Sequence, residues 1–357
     1  MNVVENRTIR TKKQSHCCLC GSEGKLIHHS LDDKLFGAPD RWDLKKCQNT
    51  DCGLVWLDPM PLIEELPKLY MNYYTHIDPL RSDSRLRNLY QKAIDAYLSM
   101  RYGYSMPGYP VPGKINWPGM LFYLHPERRA AIDCSIMALA CQKDEEQKGN
   151  YLLEVGFGDG ARLQSLASLG WSVEGVDFDP AAVENARAKG LTVSQGDIFS
   201  QNYADNSFDV LVSSHVIEHV PDPIAFFQEC YRILKVGGKM VHYTPHVDSF
   251  GHWKYQSHWR GLEPPRHLHL FSLASLSRAV SQQGFTTVQC DTTGRGANIL
   301  LDSHYLKQYS SSDPDKAGQD KTGLGKRLLF ESFSLLSFLL RKINKKWGEE
   351  LVVRAIK

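Results

Sequence analysis

The sequence predicts an α/β fold, a parallel sheet with helices on both faces. Three observations predict it. Between residues 149 and 291, short apolar runs and helical patterns alternate five times, the rhythm of strands joined by crossover helices. A glycine-rich turn, "EVGFGDG", follows the first run and opens the first helix. Acidic residues Asp177 and Asp197 end the second and third runs, where an α/β crevice meets its ligand.

The elements run in order along the chain. "NYLLEVG" reads as a buried strand, "ARLQSLASLG" as a helix closed by glycine, and "WSVEGVD" as a second strand. "PAAVENARAKG" is a helix with Pro180 at its start and Gly190 after its end, the positions these residues favour. "LTVSQGD" and "FDVLVSS" are the third and fourth strands. "PIAFFQECYRILKVGG" reads as a helix with a glycine stop, and "KMVHYTP" as the fifth strand. "LASLSRAVSQQGF" adds a helix, "TTVQCDT" a sixth strand and "ELVVRAI" a final one.

Gly156, Gly158 and Gly160 let the backbone turn tightly and approach a ligand. Their spacing is G-x-G-x-G, not the G-x-G-x-x-G of dinucleotide sites. Glu154 stands just ahead of them. A carboxylate there serves a pyrophosphate poorly and a cationic sulfonium or ammonium group well. Asp177, 21 residues after Gly156, can accept hydrogen bonds from two ribose hydroxyls. Asp197, after Gly196, can meet an adenine edge.

Here "LLEVGFGDG", "VEGVDFDP", "SQGDIF", "FDVLVSSHVIEHVPDP" and "ECYRILKVGGKMVHYTP" resemble the successive motifs of class I S-adenosylmethionine-dependent methyltransferases. The resemblance covers about 150 to 291, with the strand at about 349 to 356 completing the sheet. It implies a Rossmann-like seven-stranded methyltransferase sheet whose last strand runs antiparallel, and S-adenosyl-L-methionine as methyl donor. It implies donor contacts from Glu154, Gly156, Phe157, Gly158, Gly160, Asp177, Phe178, Asp197, Ile198, Ser214 and His215. By that resemblance the glycine loop holds the methionine part, Asp177 the ribose, and Asp197 with Ile198 the adenine. Phe178 packs on the adenine or ribose.

Cys17 and Cys20 form C-x2-C, and Cys47 and Cys52 form C-x4-C. Two close pairs at this separation fit a four-thiolate zinc site. A closed sulfur shell makes such a Zn2+ structural, and it would supply folding energy to a region with little core. Cys18 is left over. Some bacterial methyltransferases of sugar or polysaccharide modification look similar, with a C-x2-C … C-x2-C-G module before the catalytic domain. The second pair here is longer by two residues.

"SSHVIEHVPDP" brings His215, Glu218 and His219 within one expected helical turn, just after the fourth strand. Eight of the 14 histidines lie between 215 and 269. Three readings stand together. His219 or His215 is a general base for a hydroxyl acceptor, with Glu218 orienting a ring. Or His215, Glu218 and His219 hold a metal with His269, His267 being the second choice for the downstream ligand. This second reading rests on a resemblance to the E-x-x-E-H motif of ubiquinone-pathway and small-RNA 2′-O-methyltransferases, which bind a divalent ion there. His215 replaces their first glutamate, which makes the site softer and less suited to magnesium. Or the motif only braces the strand end and lines the pocket.

"SFGHWKYQSHWRGLEPPRHLHLF" places Trp253, Tyr255, Trp259, Arg260 and Arg266 after the fifth strand, as an expected acceptor-covering loop for a sugar ring or planar acid. The expected organisation is a zinc module over 1–60, a helical and loop lid segment over 61–148, and the methyltransferase domain over 149–357 with an insertion at about 292–348. Within the insertion, "RLLFESFSLLSFLLRKINKK" (327–346) has an uncharged core of nine residues, where a membrane span needs about 20. It reads as a packed helix, a self-pairing one, or one resting on an anionic membrane surface.

Net charge is +2 and 23% of residues are charged, so the whole-molecule field favours no particular partner. No apolar run follows the first charges, and nine cysteines without a secretory signal fit a reducing, cytoplasmic setting. These features together predict methyl transfer to oxygen of a sugar-like or other small-molecule acceptor. An RNA methyltransferase using a metal at the histidine cluster is the alternative, though no RNA-binding signature appears. A non-catalytic donor-binding protein is a further one. A nicotinamide oxidoreductase is disfavoured by the glycine spacing.

Overall fold

The computed structural model describes residues 3–4, 8–70, 85–109, 113–136, 150–309 and 324–357. Residues 71–84, 110–112 and 137–149 of the expected lid segment lie outside them, as do 310–323 of the expected insertion. The chain forms two compact units. One comprises Thr75–Ser213, Arg232–Val241 and Ile356–Lys357. The other comprises Met1–Tyr74, Ser214–Tyr231 and His242–Ala355.

A mixed seven-stranded sheet has the order Thr286–Thr292, Glu350–Ile356, Leu234–Pro245, Phe208–Ser214, Tyr151–Val155, Ser172–Asp177, Val193–Gln195. Tyr151–Val155 pairs in parallel with both Ser172–Asp177 and Phe208–Ser214, and Val193–Gln195 pairs in parallel with Ser172–Asp177. Leu152, Leu153, Val176, Val210, Leu211 and Val212 are buried, the continuous apolar runs that a sheet covered on both faces requires. Helix Ala161–Ser168 buries Leu163 and Leu166, and helix Pro180–Ala188 buries Ala182, Val183 and Ala186. The second helix starts where the Asp179 side chain accepts the Ala181 N–H at 2.9 Å, an N-cap that satisfies one otherwise unpaired donor.

One boundary differs from expectation. The helix beginning at Pro223 ends at Ile233, and the following strand begins at Leu234, ahead of the two glycines. Gly237 has φ of +77°. Its N–H reaches Lys357 O, and Lys357 N–H reaches Gly238 O, both at 3.0 Å. These backbone bonds extend the strand through a stretch that local pattern assigns to the helix end.

In the other unit, a four-stranded sheet has the order His269–Leu270, Val55–Leu57, Trp42–Cys47, Gly24–Leu31. Its edge strand comes from late in the sequence: His269 lies opposite Trp56 and Leu270 opposite Val55, antiparallel. Trp42, Leu44, Leu54 and Trp56 form its buried centre. Helices Ala297–Tyr309 and Leu324–Ile343 pack on each other before the chain enters Glu350–Ile356.

Arg266 fixes the segment leading into that edge strand. Its side chain is fully buried. Nη1 and Nη2 donate to the two carboxylate oxygens of Asp33 at 2.8 and 3.0 Å, and Nε donates to Glu263 at 2.9 Å. The guanidinium also lies 4.5 Å from the Phe36 ring centroid. Burial opposes the charge of Asp33, but the bonds from Arg266 hold its pKa below the ordinary value. Removing one partner of such a buried set strands the others. Arg266→Met is expected to cost about 3–5 kcal/mol of unfolding free energy, read from urea denaturation.

Candidate active site

The first unit builds a glycine cradle. Gly156, Gly158 and Gly160 all have positive φ, at +72°, +59° and +71°, a conformation that penalises a Cβ. The loop is tied down from both sides. Gly156 N–H reaches Val176 O at 2.8 Å, and Gly158 N–H reaches Asp177 Oδ2 at 2.8 Å. Asp177 Oδ1 accepts the Asp179 N–H at 2.9 Å. The carboxylate is therefore oriented by its own loop.

Glu154 is wholly buried beneath this loop. Oε1 pairs with Arg162, while Oε2 has no hydrogen-bond partner among the described residues. Burial raises the pKa of Glu154 to about 7, against the pull of Arg162. A buried carboxylate oxygen without a partner costs stability, and a cationic ligand would relieve that cost. Phe157 is buried as well: a Cβ on Gly175 would come within 2.7 Å of its ring. Phe178 is 65% exposed and free to cover a flat ligand. Asp197 is exposed and accepts the Ser200 N–H at 2.7 Å, while the Ile198 side chain is buried. Ser214 and His215 belong to the other unit. The chain reaches them directly from Ser213, which pairs with Val155.

The "HVIEH" stretch is not one helix face. His215 leaves the strand in the left-handed region at φ +57°, and only Ile217–His219 form a turn of 3-10 helix. The three side chains therefore diverge. His215 Nδ1 faces Glu218 Oε1 at 3.1 Å, and Nε2 faces Glu350 Oε1 at 2.9 Å. Burial opposes its charge, but these two carboxylates raise its pKa to about 9. With both nitrogens donating, the ring is an imidazolium braced at each end. Glu350 is in turn held by Arg295 and by Thr293 Oγ1 at 2.7 Å. Glu218 is fully buried. Burial works against its charge, yet the His215 bond outweighs this and lowers its pKa to about 2. Thr244 Oγ1 donates to Glu218 Oε2 at 3.0 Å.

His219 turns the other way. One donor atom from each of Glu218, His219 and His267 lies within 4.8 Å of the other two. His219 Nδ1 lies 3.1 Å from Arg266 O and 3.0 Å from Tyr70 Oη, and His267 Nδ1 lies 2.7 Å from Gly261 O. A carbonyl oxygen only accepts, so both rings carry their proton on Nδ1. His219 Nε2 then carries a lone pair, and His267 Nε2 lies 3.7 Å from Glu263 Oε2. Burial lowers the His267 pKa to about 4, partly offset by Glu263, and keeps that ring neutral.

His269, the expected downstream partner, stands outside this group. Its Nδ1 donates to Val220 O at 3.2 Å in the strand that pairs with Trp56. Tyr70, Thr244 and Glu350 were not singled out in the sequence. The acidic pair at 349–350, entering an apolar strand, was the available signal. Of the expected acceptor-covering residues, Trp253 is exposed, while Trp259 and Arg266 are buried. Trp259 Nε1 donates to the buried Glu349 at 3.0 Å, and Gly251 N–H does so at 2.6 Å.

The four paired cysteines form a separate cluster. Cys17, Cys20, Cys47 and Cys52 bring their sulfurs within 4.8 Å of one another. Cys17 to Cys52 is 3.7 Å and Cys20 to Cys47 is 3.4 Å. A tetrahedron with Zn–S bonds of ~2.3 Å has S···S edges of about 3.8 Å. Gly53, after Cys52, has φ of +69°, so the turn at the longer pair uses glycine's freedom. Burial pushes the Cys18 thiol up to about 12, and it is not in the cluster.

Comparison with known proteins finds methyltransferases. The family described as "Methyltransferase domain" matches residues 124–290. A protein of Mycolicibacterium smegmatis described as "Probable S-adenosylmethionine-dependent methyltransferase" is 31% identical over 143 residues, 40% of this chain and 53% of that protein. A ubiquinone biosynthesis O-methyltransferase of Xanthomonas oryzae pv. oryzae is 40% identical over 99 residues, 26% of this chain and 41% of that protein. The chain thus spans about half the length of these relatives. Phosphoethanolamine N-methyltransferase 2 of Haemonchus contortus aligns with 100% of this chain and 71% of its own, at 17% identity and a TM-score of 0.45.

Two buried carboxyls, Glu154 and Glu349, have pKa values raised by burial from 4.5 to about 7. Each binds its proton more tightly folded than unfolded. Their contribution to stability is full below pH 4.5 and is lost as pH rises through about 7. Glu349→Gln is expected to flatten that fall in melting temperature, measured by calorimetry between pH 4.5 and 7.5 in steps of about half a unit.

Proposed function

We propose that this chain, whose residues 124–290 form a class I S-adenosylmethionine-dependent methyltransferase domain, transfers a methyl group to oxygen on a sugar-like or other small-molecule acceptor. The observation that carries the reading is the grouping of Glu218, His219 and His267, with both Nδ1 protons fixed by backbone carbonyls. Such a group serves an acceptor that must lose a proton as it attacks. The O-methyltransferase relative supports oxygen as the methylated atom.

S-adenosyl-L-methionine supplies the methyl group when bound and leaves as S-adenosylhomocysteine. Glu154 Oε2 holds the donor's cationic end, and the glycine backbone lets it approach closely. Asp177, at the end of its strand, would take the ribose hydroxyls, Asp197 and the Ile198 backbone would take the adenine edge, and Phe178 would cover it. His219 Nε2 accepts the acceptor's proton. Glu218 lies close enough to steady the imidazolium that forms. His215, already charged, positions Glu218 and is not itself a base.

The same three donors also fit a divalent ion, with Glu218, His219 and His267 as its protein ligands. Two imidazoles and one carboxylate suit zinc, iron or manganese better than magnesium. Such an ion would lower the pKa of an acceptor hydroxyl. The four-cysteine cluster fits a structural zinc, and the 3.7 Å separation of Cys17 and Cys52 is close to the tetrahedral edge.

Elemental analysis of purified wild type and His219→Ala separates the two roles. One zinc per chain in both removes the metal role and leaves His219 as base or brace; a second metal lost only from the variant makes it a ligand. In either case His219→Ala should lower kcat by about 10²- to 10⁴-fold. Asp177→Ala should weaken S-adenosyl-L-methionine binding by about 10- to 100-fold in calorimetric titration, and unchanged affinity would remove Asp177 from the ribose site.

A further inference from the structure

Helix Leu324–Ile343 has two opposite faces. Phe333, Ser337 and Leu340 are buried. Leu328, Leu335, Leu339 and Ile343 point away from them and are 60%, 60%, 47% and 76% exposed. The exposed set is spaced by seven, four and four residues, so the side chains stack along one side of the cylinder. Trp347, in the 3-10 turn Lys345–Trp347, is 38% exposed, with its ring centroid 6.1 Å from that of Phe250. An aligned row of four exposed aliphatic side chains is more than scattered surface apolarity.

The charges around the row are almost all of one sign. Between residues 324 and 347 the chain carries Lys326, Arg327, Arg341, Lys342, Lys345 and Lys346 against a single acid, Glu331. Arg341 faces Asp291 and Thr292. Among the described residues, no ion pair engages Lys342, Lys345 or Lys346. Lys342 directly flanks the apolar row on the helix, and Lys345 and Lys346 stand beside Trp347.

We propose that this helix is a docking surface for an anionic lipid bilayer, lying flat with its apolar row in the headgroup boundary and its lysines on the phosphates. Charge complementarity selects this occupant. A second copy of the chain would bring two strongly basic surfaces together across the apolar contact, with one acid on each helix to offset them. A lipid surface satisfies both features at once, apolar depth for the row and negative charge for its flank. The helix does not cross the membrane: among the described residues, none is long and apolar enough to span one.

The test is co-sedimentation of the full chain with vesicles of phosphatidylcholine, with and without half phosphatidylglycerol. A triple and a double variant accompany it, Lys342→Glu with Lys345→Glu and Lys346→Glu, and Leu335→Asp with Leu339→Asp. All five side chains lie on the outer surface, so melting temperature and donor binding should stay at wild-type values. Expected is binding to the anionic vesicles only, weakened by high salt, lost in the leucine variant and reduced about 100-fold in the lysine variant. No binding to either vesicle overturns the proposal. Equal binding to both vesicles overturns it too, because the charges would then be idle. A wild-type dimer in light scattering that the leucine variant makes monomeric, without vesicle binding, assigns the row to a second copy instead.

Discussion

The side chain of Arg266 joins residues that lie far apart in sequence and holds them inside the protein. A guanidinium with no exposed surface survives only because Asp33 and Glu263 receive it with paired, well-aligned bonds. The neighbouring backbone depends on that anchorage. The Arg266 carbonyl fixes the His219 ring, the next residue is His267, and the residue after that bonds Glu218 O through its N–H at 2.7 Å. Three backbone positions in a row thus orient the whole Glu218–His219–His267 group. The position of this group is set by a buried ion pair outside it.

A second pattern is the division of labour between adjacent charged groups. His215 and His219 are four residues apart, yet one is locked between two carboxylates and the other is held at Nδ1 by a backbone carbonyl. Glu349 and Glu350 are neighbours, and burial raises the pKa of the first while burial of the second is overcome by Arg295, which lowers it. Alternation along a strand sends neighbouring side chains to opposite faces. Different surroundings then shift the pKa of two chemically identical carboxyls in opposite directions.

The glycine turn and the acidic strand ends beside it were legible in the sequence because they are local. Strand, glycine turn, helix and acidic strand end succeed one another within about 50 residues, and each leaves its own pattern. The partner of His219 was not legible. Choosing between His267 and His269 requires knowing which of two alternating positions faces Glu218, and Arg266 settles that by binding Asp33, 233 positions away. The left-handed φ of His215 was hidden for a similar reason. No glycine marks it, and the conformation is held by long-range bonds to Tyr243 O and Glu350. The extended strand start at Leu234 likewise depends on the far end of the chain, through Lys357.

The edge strand His269–Leu270 beside Val55–Leu57 has a consequence for biosynthesis. The cysteine cluster sits on a sheet whose last strand emerges from the ribosome roughly 200 residues after the others, and contacts of such long separation form late. Until then Val55–Leu57 is an open edge, a strand able to pair with a neighbouring chain. At an elongation rate of about 5–20 residues per second, that interval lasts on the order of 10 to 40 seconds. The thiols of Cys17, Cys20, Cys47 and Cys52 are synthesised at the start of it, so the order in which they meet a metal and their missing strand is a matter of kinetics as much as of affinity.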